Sequence, residues 1–72
     1  MIISIYPDGL KVKVVDYVDN YQKVEDVERQ ARNLEIRKRE EGDDYIITLN
    51  GEKRLLYLFL YNLAFDYDIE LR

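Results

Sequence analysis

The chain has 72 residues, of which 15 are Asp or Glu and 11 are Lys or Arg, so its formal charge is −4. It contains no histidine, cysteine or tryptophan, and only one serine (Ser4) and one threonine (Thr48). Imidazole proton transfer, thiolate chemistry and nucleophilic hydroxyl–base pairs are therefore excluded. Soft and borderline metals also lose their usual nitrogen and sulfur ligands. We expect a protein that is not an enzyme and that needs neither a metal nor a cofactor.

This length predicts a single domain over residues 1–72 with a thin core, because so short a chain buries only ~60% of its unfolded surface. No disulfide can form, so stability must come from dense packing, from oligomerisation, or from both. No basic signal segment precedes Pro7, and the longest apolar run, Leu55 to Tyr61, is far shorter than the ~20 residues of a membrane span. We expect a cytoplasmic protein that does not contact a membrane.

Two β-branched runs open the chain, Ile2–Tyr6 and Leu10–Tyr17. The Tyr6-Pro-Asp-Gly9 segment between them has a proline that presets φ and a glycine that closes a turn. This pattern predicts a β-hairpin in which Val12 and Val14 share one face.

A helix is predicted next, with the side chain of Asp19 or Asn20 accepting from its first amide groups. Four apolar residues follow at helical spacing: Val24, Val27, Ala31 and Leu34. Opposite charges four residues apart predict two ion pairs on this helix, Glu25 with Arg29 and Glu28 with Arg32.

Residues 34–40 are compatible with two structures. A helix that stops near Asn33 would leave them as a strand, joined to the next strand through the acidic turn Glu41-Gly42-Asp43. Alternatively, good helix propensity would carry the helix to Glu41, with Gly42 as its end. We slightly favour the strand.

The second half of the chain predicts a strand at Tyr45–Leu49, then a helix, then a strand. The helix has one wide apolar face, comprising Leu55, Leu56, Phe59, Leu60 and Leu63. Strict alternation from Phe65 to Leu71 predicts the last strand. The whole is an α+β fold of order β-β-α-(β)-β-α-β, in which two helices lie on one face of an antiparallel or mixed sheet of four or five strands.

Tyrosine gives the first candidate functional surface, because seven of the nine aromatic residues are Tyr. Tyrosine combines a large apolar ring with a polar tip and is enriched at binding surfaces. In the second helix, the residues outside the wide apolar face predict a partner interface, made of Arg54, Tyr57, Leu58 and Tyr61. The alternative is that a small fold simply buries this helix on all sides.

Acidic residues give the second candidate. Carboxylates two residues apart on a strand stand ~6.7 Å apart on one face. Together with the acidic turn, they predict an acidic ridge made of Asp43, Asp44, Asp66, Asp68 and Glu70. Such a ridge can occupy the basic groove of a nucleic-acid-binding protein. The alternative is a solvated strand face paired with Lys11 and Lys13.

A third candidate is the basic stretch at 29–39, with Arg29, Arg32, Arg37, Lys38 and Arg39. It could contact phosphates, although interleaved carboxylates and the net negative charge disfavour direct nucleic-acid binding.

The favoured interpretation is a small acidic protein that binds another protein. Small acidic inhibitors from phages and mobile elements, of the anti-restriction and anti-CRISPR kinds, are similar in style, although no motif assigns the chain to any of them. A nucleic-acid-binding module that uses residues 29–39, or a homodimeric structural or adaptor protein, is the alternative.

Overall fold

The computed structural model describes residues 1–72 and contains five strands and two helices. In chain order they are β1 (Ile2–Tyr6), β2 (Gly9–Val14), α1 (Tyr21–Gln30), β3 (Glu35–Glu41), β4 (Asp44–Asn50), α2 (Lys53–Asp66) and β5 (Glu70–Leu71). The strands form one mixed sheet in the spatial order β3-β4-β2-β1-β5. Only the β1–β5 pairing is parallel. The predicted α+β order is confirmed, and the sheet has the larger of the two expected strand numbers.

The β1–β2 hairpin forms where the turn residues predict it. Pro7 and Asp8 connect Tyr6 to Gly9, and these two residues are also the last register pair of the hairpin. Gly9 is needed for close approach between strands, because an added Cβ would lie 2.3 Å from the backbone oxygen of Leu49 in β4. The hairpin can therefore seat directly against β4.

One face of the sheet carries the core. Residues directly opposite each other in paired strands share a face, as Val12 and Ile47 do, and as Leu10 and Leu49 do. Both helices pack on this face, because their buried residues join those of the strands in one apolar cluster. Its members are Ile3, Leu10, Val12, Val14, Val24, Val27, Ala31, Ile47, Leu49, Leu56, Phe59 and Leu63. The opposite sheet face is not covered by a helix.

Residues 35–41 are a strand, as slightly favoured from the sequence. The helix ends at Gln30, where the amide of Ala31 donates to the carbonyl of Val27. All seven residues of β3 then pair with β4. This ladder satisfies backbone groups along β4 that a longer helix would have left unpaired, and it outweighs the helix propensity of the segment.

The start of α1 differs from the prediction. Asn20 is the N-cap residue, but its side chain does not accept from the helix. Its amide group instead donates to the carbonyls of Val15 and Asp16. Asn20 therefore closes the preceding loop, and Asp16 adopts a positive φ of 50° in that loop.

The predicted strand from Phe65 to Leu71 is wrong over its first half. Helix α2 continues through Phe65 and Asp66, and β5 contains only Glu70 and Leu71. The alternation of apolar and acidic residues is real, but Phe65 and Asp66 continue the hydrogen-bonded helix. The backbone becomes extended only at Tyr67, the C-cap residue.

We expect Leu63→Ala to lower the free energy of unfolding by about 2–5 kcal/mol, because the Leu63 side chain is fully buried on the face of α2 that contacts the sheet. Leu58→Ala is a matched control in the same helix, with equal helix propensity and a side chain that is 54% exposed. Its expected effect is within about 0.5 kcal/mol. Urea unfolding of both variants at high dilution measures the difference, and equal losses would contradict this assignment of the two faces.

Candidate functional site

Four large apolar side chains stand exposed on the solvent side of α2. The exposed fractions are 55% for Tyr57, 54% for Leu58, 64% for Tyr61 and 76% for Phe65. Arg54 lies on the same side, with an 80% exposed side chain. We call these five residues the α2 outer face. Monomeric proteins rarely expose contiguous apolar surface of this kind without a binding role.

This face exists because α2 is apolar on more than one side. Leu56, Phe59 and Leu63 fill the single stripe that contacts the sheet. Residues on the opposite side of a helix cannot reach the same sheet, so Tyr57 and Tyr61 remain in solvent. The alternative that the small fold buries α2 on all sides is therefore excluded.

Phe65 belongs to this surface and was missed by the sequence analysis, which placed it on a strand. Its ring lies 5.8 Å from that of Tyr61, with the two planes inclined at 57°. This tilted geometry is favourable for aromatic pairs. The i,i+4 spacing of Tyr61 and Phe65 was the sequence signal that could have identified it.

The apolar surface continues from α2 onto the edge of the sheet. Tyr57 and Lys53 line a small recess together with Ile5 and Tyr6 of β1. Ile5 is 46% exposed. Since β5 pairs only with Ile2 and Ile3, the rest of β1 has no neighbouring strand on that side.

The charges at the ends of α2 are reversed relative to the helix dipole. Its first turn contains Lys53 and Arg54 and no acidic residue, and its last residue is Asp66. A helix N-terminus favours negative charge and a C-terminus favours positive charge. Glu52, the N-cap residue, makes no side-chain capping hydrogen bond. Within the monomer this arrangement costs free energy.

A buried carboxylate anchors the C-terminal end of α2 to α1. Asp26 of α1 is only 9% exposed and accepts hydrogen bonds from the hydroxyl of Tyr67 and the amide of Gln22. The Arg29 guanidinium also donates to it, at 2.6 Å. These contacts fix the position at which the chain leaves α2 and turns toward β5.

The same contacts change the pKa values of both partners. The hydrogen bond from Tyr67, then that from Gln22, holds the pKa of Asp26 below its ordinary value. The carboxylate of Asp26, with some burial, raises the pKa of Tyr67 from 10.0 to about 12. At neutral pH the pair is therefore an ionised carboxylate that accepts from a neutral phenol.

A shallow groove of about 420 Å³ separates α1 from α2. Leu34, Leu55, Leu58 and Phe59 contribute its apolar part, and Arg29 and Arg32 lie on the α1 side. The buried Oε1 atom of Gln30 has no hydrogen-bond partner there, although its Nε2 donates to Asp66 at 3.2 Å. The groove borders the α2 outer face through Leu58.

The predicted acidic ridge is not assembled as one surface. Asp43 and Asp44 lie at the β3–β4 turn, whereas Glu70 lies on β5, and β2 and β1 separate these strands in the sheet. Asp66 ends a helix and Asp68 lies in the following loop, so the two do not share a strand face with Glu70. Lys13, but not Lys11, pairs with one of these carboxylates, Asp44, at 3.4 Å.

The basic residues of 29–39 are also dispersed. Arg29 pairs with Asp26 rather than Glu25, and Glu28 pairs with Lys38 of β3, at 3.1 Å, rather than with Arg32. Arg37 and Arg39 lie on the uncovered sheet face, because they are opposite Thr48 and Ile46. Each is close to a carboxylate of its own strand: Glu35 for Arg37, at 3.7 Å, and Glu41 for Arg39, at 3.0 Å.

Neither helix has the length and apolar character needed to cross a membrane. No three acidic side chains are grouped closely enough to hold a metal ion. Comparison of the chain with protein family models, curated proteins and solved structures found no match.

We expect the Asp26–Tyr67 pair to give the fold an alkaline limit. Because folding raises the pKa of Tyr67, the stability contributed by its neutral form is complete below pH 10 and is lost as pH rises toward about 12. Because folding lowers the pKa of Asp26, its contribution is present above its ordinary pKa of 3.8 and is lost as pH falls below that value.

Tyr67→Phe should therefore lower stability at neutral pH and remove the latest component of the tyrosinate absorbance titration. Tyr61→Phe is the matched control, because the Tyr61 hydroxyl makes no hydrogen bond within the chain, and it should leave that component in place. Loss of the late component in the control but not in Tyr67→Phe would contradict the assignment.

Proposed function

We propose that this protein acts by binding another protein chain through the α2 outer face, without catalysing a reaction. The observation that carries the proposal is the continuous exposure of Tyr57, Leu58, Tyr61 and Phe65 along one side of one helix. Burial of apolar surface drives protein association, and aromatic residues with an arginine at the edge are the side chains most enriched at such interfaces.

The physical cost of leaving this face exposed supports the proposal. The side chains of Leu58 and Phe65 have no polar atoms, so their exposure to water is unfavourable. Replacing either with a charged residue would not disturb the core, which lies on the opposite side of α2. The exposed apolar and aromatic side chains give this face the composition of an interface.

The other hypotheses have weaker support from the geometry. A nucleic-acid-binding module would need the cations of 29–39 on one surface, and four of the five instead lie close to carboxylates of the chain. An inhibitor of the phage or mobile-element kind remains a prediction. Its binding surface would be the α2 outer face rather than an acidic ridge. A cytoplasmic location is part of the same proposal.

Site-specific photo-crosslinking tests the proposal. A benzophenone amino acid replaces Tyr61 in one variant and Tyr21 in a matched control, since Tyr21 of α1 is similarly exposed, at 60%. Both proteins are irradiated in purified form and in an extract of the organism that encodes the chain. We expect a discrete protein adduct from position 61 that Leu58→Asp abolishes, and none from position 21.

An adduct of twice the chain mass would identify a second copy, and a discrete adduct of another mass would identify a different protein; both support the proposal. The absence of any adduct specific to position 61, or an adduct that Leu58→Asp does not reduce, would overturn it.

A further inference from the structure

We propose that the occupant of the α2 outer face is a second copy of this chain, with the two α2 helices packed antiparallel about a two-fold axis through Tyr61. This inference rests on the proposed function, because it names the partner of the same surface. Three features of α2 support it: the spacing of the exposed residues, the charges at the two ends, and the direction of the helix dipole.

The exposed stripe reads nearly the same in both directions from Tyr61. Tyr57 and Phe65 are four residues away on either side, and Leu58 and Ala64 are three residues away. Arg54, at the N-terminal end of α2, and Asp68, in the loop two residues beyond its C-terminal end, are both seven residues away. All of the helical members fall within about 60° of Tyr61 around the helix, because each residue advances the helix by about 100°.

A two-fold axis through Tyr61 brings the two members of each pair together. Tyr57 of one copy then meets Phe65 of the other, and the large Leu58 meets the small Ala64. Pairing a large with a small side chain allows two helices to interdigitate. Such an interface is isologous, so one patch serves both copies, as in most homodimers.

The charges complete the match. In the antiparallel arrangement Arg54 of one copy lies beside the C-terminal end of α2 of the other, where Asp68 follows in the loop, and this juxtaposition occurs twice. The Asp68 side chain makes no ion pair or hydrogen bond within the chain, and Arg54 has only a loose contact with Glu52, at 3.6 Å. The N-terminal ammonium of Met1 donates to the backbone carbonyl of Asp68, at 3.3 Å, and leaves its carboxylate without an ion pair, so both side chains can form an intermolecular pair. A parallel arrangement would instead place Arg54 against Arg54.

The reversed charges at the two ends of α2 become favourable in this dimer. Lys53 and Arg54 are unfavourable at the N-terminus of their own helix, and Asp66 is unfavourable at the C-terminus. In the antiparallel pair, each cationic end lies beside the carboxylates and the negative dipole end of the other copy. The arrangement that destabilises the monomer thus stabilises the dimer.

Two charge reversals test this geometry. In Arg54→Asp homodimers, two carboxylates would face each other at both ends, and in Asp68→Arg homodimers two guanidiniums would do so. We expect each single variant to raise the dimer dissociation constant by about tenfold or more. Mixing the two variants restores both opposite-charge contacts, so the heterodimer should associate about as tightly as the unmodified protein.

Loss of folding does not explain recovery on mixing, because a variant that failed to fold would not regain association with its partner; Arg54→Asp also places the favourable charge at the N-terminus of α2. The control mixture combines Asp19→Arg and Arg37→Asp, which change the same charges away from α2 and should neither weaken nor rescue association. Sedimentation equilibrium at low and high salt gives the dissociation constants. Salt should reduce the difference between mixed and unmixed variants.

The outcomes separate this inference from the proposed function. A monomeric unmodified protein whose position 61 still cross-links another protein overturns the dimer and leaves the interaction surface. A dimer that the two reversals do not affect, or that their mixture does not restore, overturns the antiparallel arrangement. Weakening by each reversal with recovery on mixing supports it.

Discussion

The whole molecule depends on one apolar sheet face that is only large enough for one stripe of each helix. Strands β1, β2 and β4 present their core residues to this face, and α1 and α2 cover it side by side. A 72-residue chain has no second layer with which to cover the helices in turn. The apolar residues of α2 that do not point at the sheet are therefore left in solvent, and the candidate site is a consequence of the size of the fold.

The contact between Asp26 and Tyr67 determines where that surface ends. It holds the residue after α2 against α1, so that the chain turns toward β5 and pairs with Ile2 and Ile3. The backbone amides of Glu70 and Arg72 then donate to the carbonyls of Met1 and Ile3. The last turn of α2, including Phe65, thus remains on the outside of a well-anchored helix, which is a suitable arrangement for an interface with little ordering cost.

Residue composition and tertiary structure together explain why neither charged candidate, the acidic ridge or the basic stretch at 29–39, forms one surface. The chain has many carboxylates and many cations, but the fold places most of the cations of 29–39 close to carboxylates. These contacts are exposed and individually weak. They place a carboxylate beside most of these cations, so the mainly apolar α2 outer face is the most distinctive surface of the protein.

The sequence by itself determined the β1–β2 hairpin, the two helices and the order of every element except β3, because turn residues and apolar periodicity are local signals. It also identified Tyr57, Leu58 and Tyr61, since their spacing alone shows that they lie outside the wide apolar face of the helix. Only the tertiary structure decided that residues 35–41 form a strand, because pairing with β4 outweighs local helix propensity. It likewise decided that Phe65 and Asp66 continue α2, and that Asp43 and Asp44 lie apart from Asp66, Asp68 and Glu70. Alternation of apolar and polar residues describes only the side chains. A segment becomes a strand only where the rest of the fold supplies a backbone partner for it.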